Sequence, residues 1–373
     1  MQQQNPQQQN ATARQMLLAT SIPVRKKVGS FTGFNLGDTA RLKLLNVGLT
    51  TGVQAIVSYN VTNGGTTPPA QSNFGGSVIA NKIVLTDYNQ IERISTDGYS
   101  LKVLNAFKRR RFNGFSSAAY PQFPALSNTT EFETFQSGAV TNQQNRVFFD
   151  IPFAVDAEHG DLRGISLSQA VVGEQFVSIK FADTLLGADP LLYPYQDAGS
   201  STSTLVGTIT VDLYQEYLQP QSLQYIPLID ASTIYEIKGL FKSSSDISTN
   251  GEKLINYPNV RTVMSSFHVG IDNNVPMGAT QINTIKLIAN GSQIMHEDNY
   301  ATKRRYMYGE IGGNIGNGTI YMNHRSFPIS TAIYGNVQLQ TDYLTITGGN
   351  TYMQSQFESL YASGQALPGI STQ

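Results

Sequence analysis

The chain has 373 residues, of which 40% are apolar and 14% charged, and its 25 Lys and Arg against 26 Asp and Glu leave a net charge of −1. That balance excludes the global basic field of a dedicated nucleic-acid binder, and zero cysteines exclude disulfides, thiolate metal sites and cysteine nucleophiles. The length suits one large domain or two ordinary ones, and so low a charged fraction, against roughly 25% in soluble domains, points to a surface covered by neighbouring copies.

Six of residues 2–9 are Gln. This start lacks the basic residues and the apolar run of about 7–15 residues that a secretion signal needs, and no window approaches the roughly 20 apolar residues of a membrane span. The chain is therefore expected to fold where it is made. Thr12–Thr20 reads as a short helix, with Ala13, Met16 and Leu17 on one stripe. Gln54–Val61 then alternates apolar and polar residues, as do Val147–Val155, Gln175–Phe181, Thr208–Leu213, Val263–Asp272, Thr284–Ala289 and Ile333–Gln340. Alternation over five to eight residues puts one face inward and one outward, which is half-buried antiparallel strand. Asn-Gly pairs at 63–64, 113–114, 250–251, 290–291 and 317–318 supply the positive φ that tight turns demand.

Helix signals are few beyond the N-terminus. Asp161–Val172 reads as one helix, with Asp161 at its positive end, and Glu297–Ile311 as another, with Asp298 and Asn299 as caps. Many short strands with about one helix per half predict β-sandwiches rather than βαβ units. The parallel between halves suggests duplication, although no internal repeat survives residue-by-residue comparison. Residues 62–76 and 199–204 read as surface connections, Tyr217–Pro227 as a joint between halves, and Ser363–Gln373 as a tail.

Three clusters are candidates for chemistry. Asp156, Glu158, His159 and Asp161 are the tightest set of potential metal ligands, but the spacing of a calcium loop is absent and acidic residues ahead of a helix serve as caps. Glu131 and Glu133 would stand about 7 Å apart on one strand face, within the range of paired glycosidase carboxylates. A chain with no Trp offers such an enzyme no indole platform for sugars. Lys108, Arg109, Arg110 and Arg111, followed by Phe112 and Phe115, form the sharpest basic run. An inter-subunit contact, a solvated loop and a grip on phosphates and bases are its three readings. His268 falls opposite Phe267 and Val269 and reads as structural.

Six segments, in order, resemble the major capsid proteins of tectiviruses, the tailless bacteriophages with an internal membrane. They are Arg14-Gln15 with Leu17 or Leu18 followed by Ser21 and Pro23-Val24; Leu185–Leu191 (LLGADPL); Val211–Leu218 (VDLYQEYL); Tyr225–Tyr235 (YIPLIDASTIY); Lys303-Arg304-Arg305; and Ile333–Val337 (IYGNV). Residues 30–145 show little similarity. The resemblance implies an all-β double jelly roll: two eight-stranded sandwiches side by side, each with a helix in a connection, plus an N-terminal helix. On it the chain divides into an arm over residues 1–27, a first roll over 28–222, a second over 223–361 and a tail over 362–373.

The same resemblance implies a capsid protein with no enzymatic role and no cofactor or metal. Its partners would be two further copies in a pseudo-hexagonal homotrimer, neighbouring trimers, penton and minor capsid proteins, and an internal viral membrane, with no direct nucleic acid. Tyr225, Pro227, Leu228, Ile229 and Asp230 are then expected to set the joint between rolls. Met16, Leu17 and Leu18, with Arg25, Lys26 and Lys27, are expected to meet membrane or a neighbour. Arg25–Lys27 reads equally as the solvated start of a strand. The rival from another class is a carbohydrate-binding or glycoside-hydrolysing β-sandwich.

Overall fold

The computed structural model describes residues 19–109, 134–135, 138–157, 159–166, 168, 173–197, 199–220, 233–240, 247, 249–311 and 316–362. In the first half the alternating segments become β1 (Ser21–Phe34), β2 (Thr39–Lys43), β3 (Leu49–Gly65), β4 (Ala80–Thr86) and β5 (Glu92–Thr96). Helix α1 (Gly98–Arg109) follows, then β6 (Val140–Pro152), β7 (Phe176–Phe181) and β8 (Ser201–Pro220). The second half continues with β9 (Thr233–Leu240), β10 (Gly251–Asn256), β11 (Thr262–Asp272), β12 (Ile282–Ala289) and β13 (Gln293–Asn299). Helix α2 (Tyr300–Ile311), β14 (Thr319–Asn323), β15 (Val337–Tyr343) and β16 (Tyr352–Ala362) complete it. Several two-residue strands lie outside this framework.

The pairing defines the topology. One sheet of the first half runs β1-β8-β3-β6 and faces another running β2-β7-β4-β5. The second half repeats this order with every label raised by eight: β9-β16-β11-β14 faces β10-β15-β12-β13. Each half is thus an eight-stranded jelly roll. Both helices occupy the same connection, between the fifth and sixth strands, β5 and β6 in one roll and β13 and β14 in the other. The duplication hidden from residue comparison is plain in strand order.

Period-2 patterning fills each sandwich. Val147, Phe149 and Ile151 on β6 are buried with Ala55, Val57 and Tyr59 on β3 and Val211 and Leu213 on β8, facing Ile83, Leu85, Val177 and Ile179. In the second roll Met353 and Phe357 of β16 are buried with Ile285, Leu287 and Leu339. Each such side chain contributes on the order of 1.5–3 kcal/mol by leaving water. Strand β11 departs from alternation, being buried on both faces. Its second face is covered from the helix side, where Tyr99 of α1 meets Phe267 with ring centroids 6.0 Å apart.

Several expectations need correction. No helix forms over Asp161–Ser166: Asp161 pairs with Asp156 in a β-bridge, Ser166 with Thr50, and Gly164 sits at φ +86° between them. The helix of the first half is α1 instead, where the side chain of Asp97 caps the first turn by accepting from the Ser100 amide at 2.9 Å. Asn63-Gly64 is not a turn, because both residues pair with β8 inside a ribbon that extends β3 to Gly65. Of Ile333–Gln340, residues up to Tyr334 form a helical turn and only Val337 onward is strand, after Gly335 at φ +66°. β1 starts at Ser21, so the last seven residues assigned to the arm belong to the first sandwich. Asn290-Gly291 behaves as read, with φ +52° and +75° in the β12–β13 hairpin.

Candidate functional site: the seam between the rolls

The two rolls are joined through backbone first. β5, at the edge of one sheet, pairs in parallel with β9, at the edge of the next, through Ile94 opposite Ile237 and Ser95 opposite Lys238. Two four-stranded sheets thereby become one continuous sheet. Packing then locks the angle. Phe107 of α1 stacks on Tyr321 of β14, with centroids 3.7 Å apart and planes 11° apart. Gly164 lies so close to β9 that a Cβ there would stand 2.3 Å from Cβ of Tyr235 and 2.8 Å from the Phe153 carbonyl.

Buried carboxylates complete the hold. Asp97, which caps α1, also accepts from the side-chain amides of Gln354 and of Gln356, the latter at 3.2 Å, both on β16 of the other roll. Burial pushes its carboxyl above the ordinary aspartate range, and the Ser100 hydrogen bonds only partly offset this. Asp189 accepts from the Tyr352 hydroxyl at 2.8 Å and from Asn350 Nδ2 at 3.0 Å, again across the seam. Glu358 is fully buried; it accepts from Tyr235 Oη at 2.5 Å, Ser265 Oγ at 2.7 Å and both of its oxygens from Arg325 Nη2. Burial works to raise its carboxyl, but the charges of Arg325 and then Lys108 outweigh it and hold the group below the usual glutamate value.

Lys108, read as a surface contact, turns into this seam. Its Nζ donates to the Ala154 carbonyl at 3.2 Å and lies 5.4 Å from the centre of the Tyr235 ring. Arg109 ends α1, and Arg110 and Arg111 lie outside the described residues, as do Met16–Leu18, Glu131, Glu133, Glu158 and the whole expected joint, Tyr225, Pro227, Leu228, Ile229 and Asp230. The residues described as holding the rolls together were not singled out from sequence. The usable signal was the buried-polar character of β16, where Gln354, Gln356 and Glu358 alternate on one face of a strand.

Arg25, Lys26 and Lys27 are placed on β1 and exposed. Lys27 pairs with Asp212 at 2.8 Å and Arg25 with Glu216 at 3.8 Å, both across the β1–β8 ladder. In the metal candidate, Asp156 binds His159 at 2.9 Å and Asp161 binds Arg163, and among the described residues no three His, Asp or Glu side chains are arranged to hold a metal. His268 is buried, with Nδ1 2.8 Å from Ser355 Oγ and Nε2 2.9 Å from Ser266 Oγ. Ser266 Oγ is 2.8 Å from Tyr257 Oη, which is 3.2 Å from His324 Nε2. Burial holds both histidines at a pKa of about 3.

Strand order, the equivalent helices after β5 and β13 and the fused sheet define the double jelly-roll class of viral capsid proteins. Similar solved structures share that fold at low identity. A chain from Sulfolobus turreted icosahedral virus aligns with TM-score 0.65 at 10% identity, covering 91% of this chain and 91% of its own. VP54 of PBCV-1 gives TM-score 0.60 at 10% identity over 94% and 98%, and major capsid protein P2 of bacteriophage PM2 gives 0.52 at 7% over 91% and 97%. No curated protein matches the sequence significantly. Residues 1–221 match the family described as P3 major capsid protein N-terminal, and the chain belongs to that family. It is a viral major capsid protein whose place is the virion. The tectivirus-type resemblance read from the sequence agrees with that family.

Proposed function

We propose that three copies close into a block of six jelly rolls, which tiles the facets of an icosahedral shell around an internal membrane. The carrying observation is the rigid fusion of two rolls of identical strand order, since a chain made of two near-equivalent lobes turns a threefold assembly into a pseudo-sixfold tile. Its role is assembly rather than catalysis. The chain waits in the host cytoplasm before packing against neighbouring trimers, penton and minor capsid proteins, without direct contact with nucleic acid. Met16, Leu17 and Leu18 anchor the N-terminal segment towards the membrane, and Tyr225–Asp230 link the rolls near the proposed boundary at residue 222.

Size-exclusion chromatography with light scattering tests the reading. A species of three times the 40.7 kDa chain mass, seen as hexagonal blocks by electron microscopy, is expected; a monomer at every concentration refutes it. Deleting residues 1–20 should leave trimers intact and lower the lipid content of particles.

A further inference from the structure

Resting on the trimer reading, we propose that the contact between copies repeats the internal seam: β13 of one copy lies parallel to β1 of the next. Within the chain, the edge strand β5 of the first roll meets the edge strand β9 of the second. The topological equivalent of β5 in the second roll is β13, and that of β9 in the first roll is β1. Both are edges, each hydrogen-bonded on one side only among the described residues. An unpaired edge is a template for another strand. A head-to-tail contact of this kind is heterologous, and it closes after three copies when six rolls make one turn.

The register follows from the seam. Ile237 and Lys238 are the fifth and sixth residues of β9, as Arg25 and Lys26 are of β1. Ile94 and Ser95 stand four and three residues ahead of α1, as His296 and Glu297 do ahead of α2. Equivalence thus sets Arg25 beside His296 and Lys26 beside Glu297. The faces agree too. In the seam, core-facing Ile94 adjoins Ile237, whose partner Glu358 faces away from the core of its own roll. Correspondingly, His296 is paired with buried Leu287, while Arg25 lies on the outer face over the Tyr214 ring.

Chemistry complements geometry. β1 offers Lys26, flanked by Arg25 and Lys27, and β13 offers Glu297, whose neighbour Asp298 is held by His296 at 2.7 Å. Among the described residues Lys26 forms no ion pair, and Lys286 is shared between Glu252 and Glu297. Ile22 and Ile294, 52% and 53% exposed, give each edge an apolar residue to cover.

A cysteine-free chain makes the test clean. Adjacent strands lie about 4.8 Å apart, within disulfide reach. A Lys26→Cys/Glu297→Cys protein, oxidised as assembled trimer, is expected to give covalent dimers and trimers on a non-reducing gel, whereas either single variant is expected to stay monomeric there. Independently, Lys26→Glu and Glu297→Lys should each weaken association about tenfold per contact, and the double swap should restore it. Wild-type trimers with no cross-linking in the double-cysteine protein and no loss in either charge variant overturn this contact and leave the trimer standing. A monomeric wild type overturns the trimer reading itself.

Discussion

Replacing Asp97 by Ala should loosen the seam more than any surface change. Three partners lose their acceptor at once: the Ser100 amide at the start of α1, and the side-chain amides of Gln354 and Gln356 on β16. Loss of the cap costs about 1 kcal/mol. Gln356 is 2% exposed, so its orphaned amide cannot turn to water; with Gln354 it adds about 2–3 kcal/mol. The sum is about 3–4 kcal/mol. For 373 residues unfolding together, at about 2.1 cal/mol/K per residue, that is a fall in Tm of about 4–5 °C. Burial already pushes the Asp97 carboxyl up, so desolvation offsets part of the hold. Asp97→Asn keeps an acceptor for the cap without the charge and should cost only about 1–2 kcal/mol. Thermal unfolding followed by circular dichroism measures both. A shift below 1 °C for Asp97→Ala would refute the view that this carboxylate ties the rolls together.

Glu358→Ala should be harsher, about 3–5 kcal/mol by denaturant titration, because it strands Arg325 in the interior; adding Arg325→Met should recover much of the loss. Gly164→Val should give insoluble or strongly destabilised protein, since φ +86° disfavours a β-branched residue and Tyr235 Cβ and the Phe153 carbonyl already fill the space of its Cβ. Acid should weaken the second roll through His268. Its folded pKa of about 3 lies below the unfolded value near 6.5, so between them the unfolded chain binds the extra proton. Stability is therefore full above pH 6.5 and declines as pH falls, by about 3 kcal/mol at pH 4. His324, held equally low, adds a similar slope, so His268→Gln should remove about half of the acid sensitivity in melts recorded from pH 7 to pH 4.

The sandwiches were legible because period-2 patterning is a local consequence of burying one face. Val147–Val155, Val263–Asp272 and Thr284–Ala289 fall on β6, β11 and β12 for that reason. α1 was legible but went unread: Lys102, Asn105 and Lys108 recur every three residues among the buried Tyr99, Leu101, Val103, Leu104, Ala106 and Phe107, which is a helical period. The helix expected from Asp161, absent over Asp161–Ser166, had acidic and apolar residues in plausible places. Over Asp161–Ser166 the chain is instead held by a local bridge to Asp156 and by a bridge from Ser166 to the distant Thr50, and no local signal announces the second partner. The seam was illegible for the same reason. Asp97 and Gln356 are 259 residues apart in sequence, and each alone reads as an ordinary polar residue.

The scarcity of charge also acquires a physical sense from the seam. Apolar burial is non-directional: it brings two rolls together but tolerates many angles between them, and a tile that must meet its neighbours on every side tolerates few. Hydrogen bonds to buried carboxylates are short and directional, and breaking one leaves an unpaired charge that costs several kcal/mol. Asp97 and Asp189 bridge the rolls directly; Glu358 ties β9, β11 and Arg325 together within the second roll, and the buried Asp87–Arg93 pair stands on the other side, with Arg93 donating to the Gly164 carbonyl at 2.7 Å. Misaligning the rolls by a few degrees would break several of these at once, so the penalty for a wrong angle is steep even where the net stabilisation of each pair is small. Charge is sparse over this chain, and two of its buried carboxylates, Asp97 and Asp189, are set where an angle has to be held.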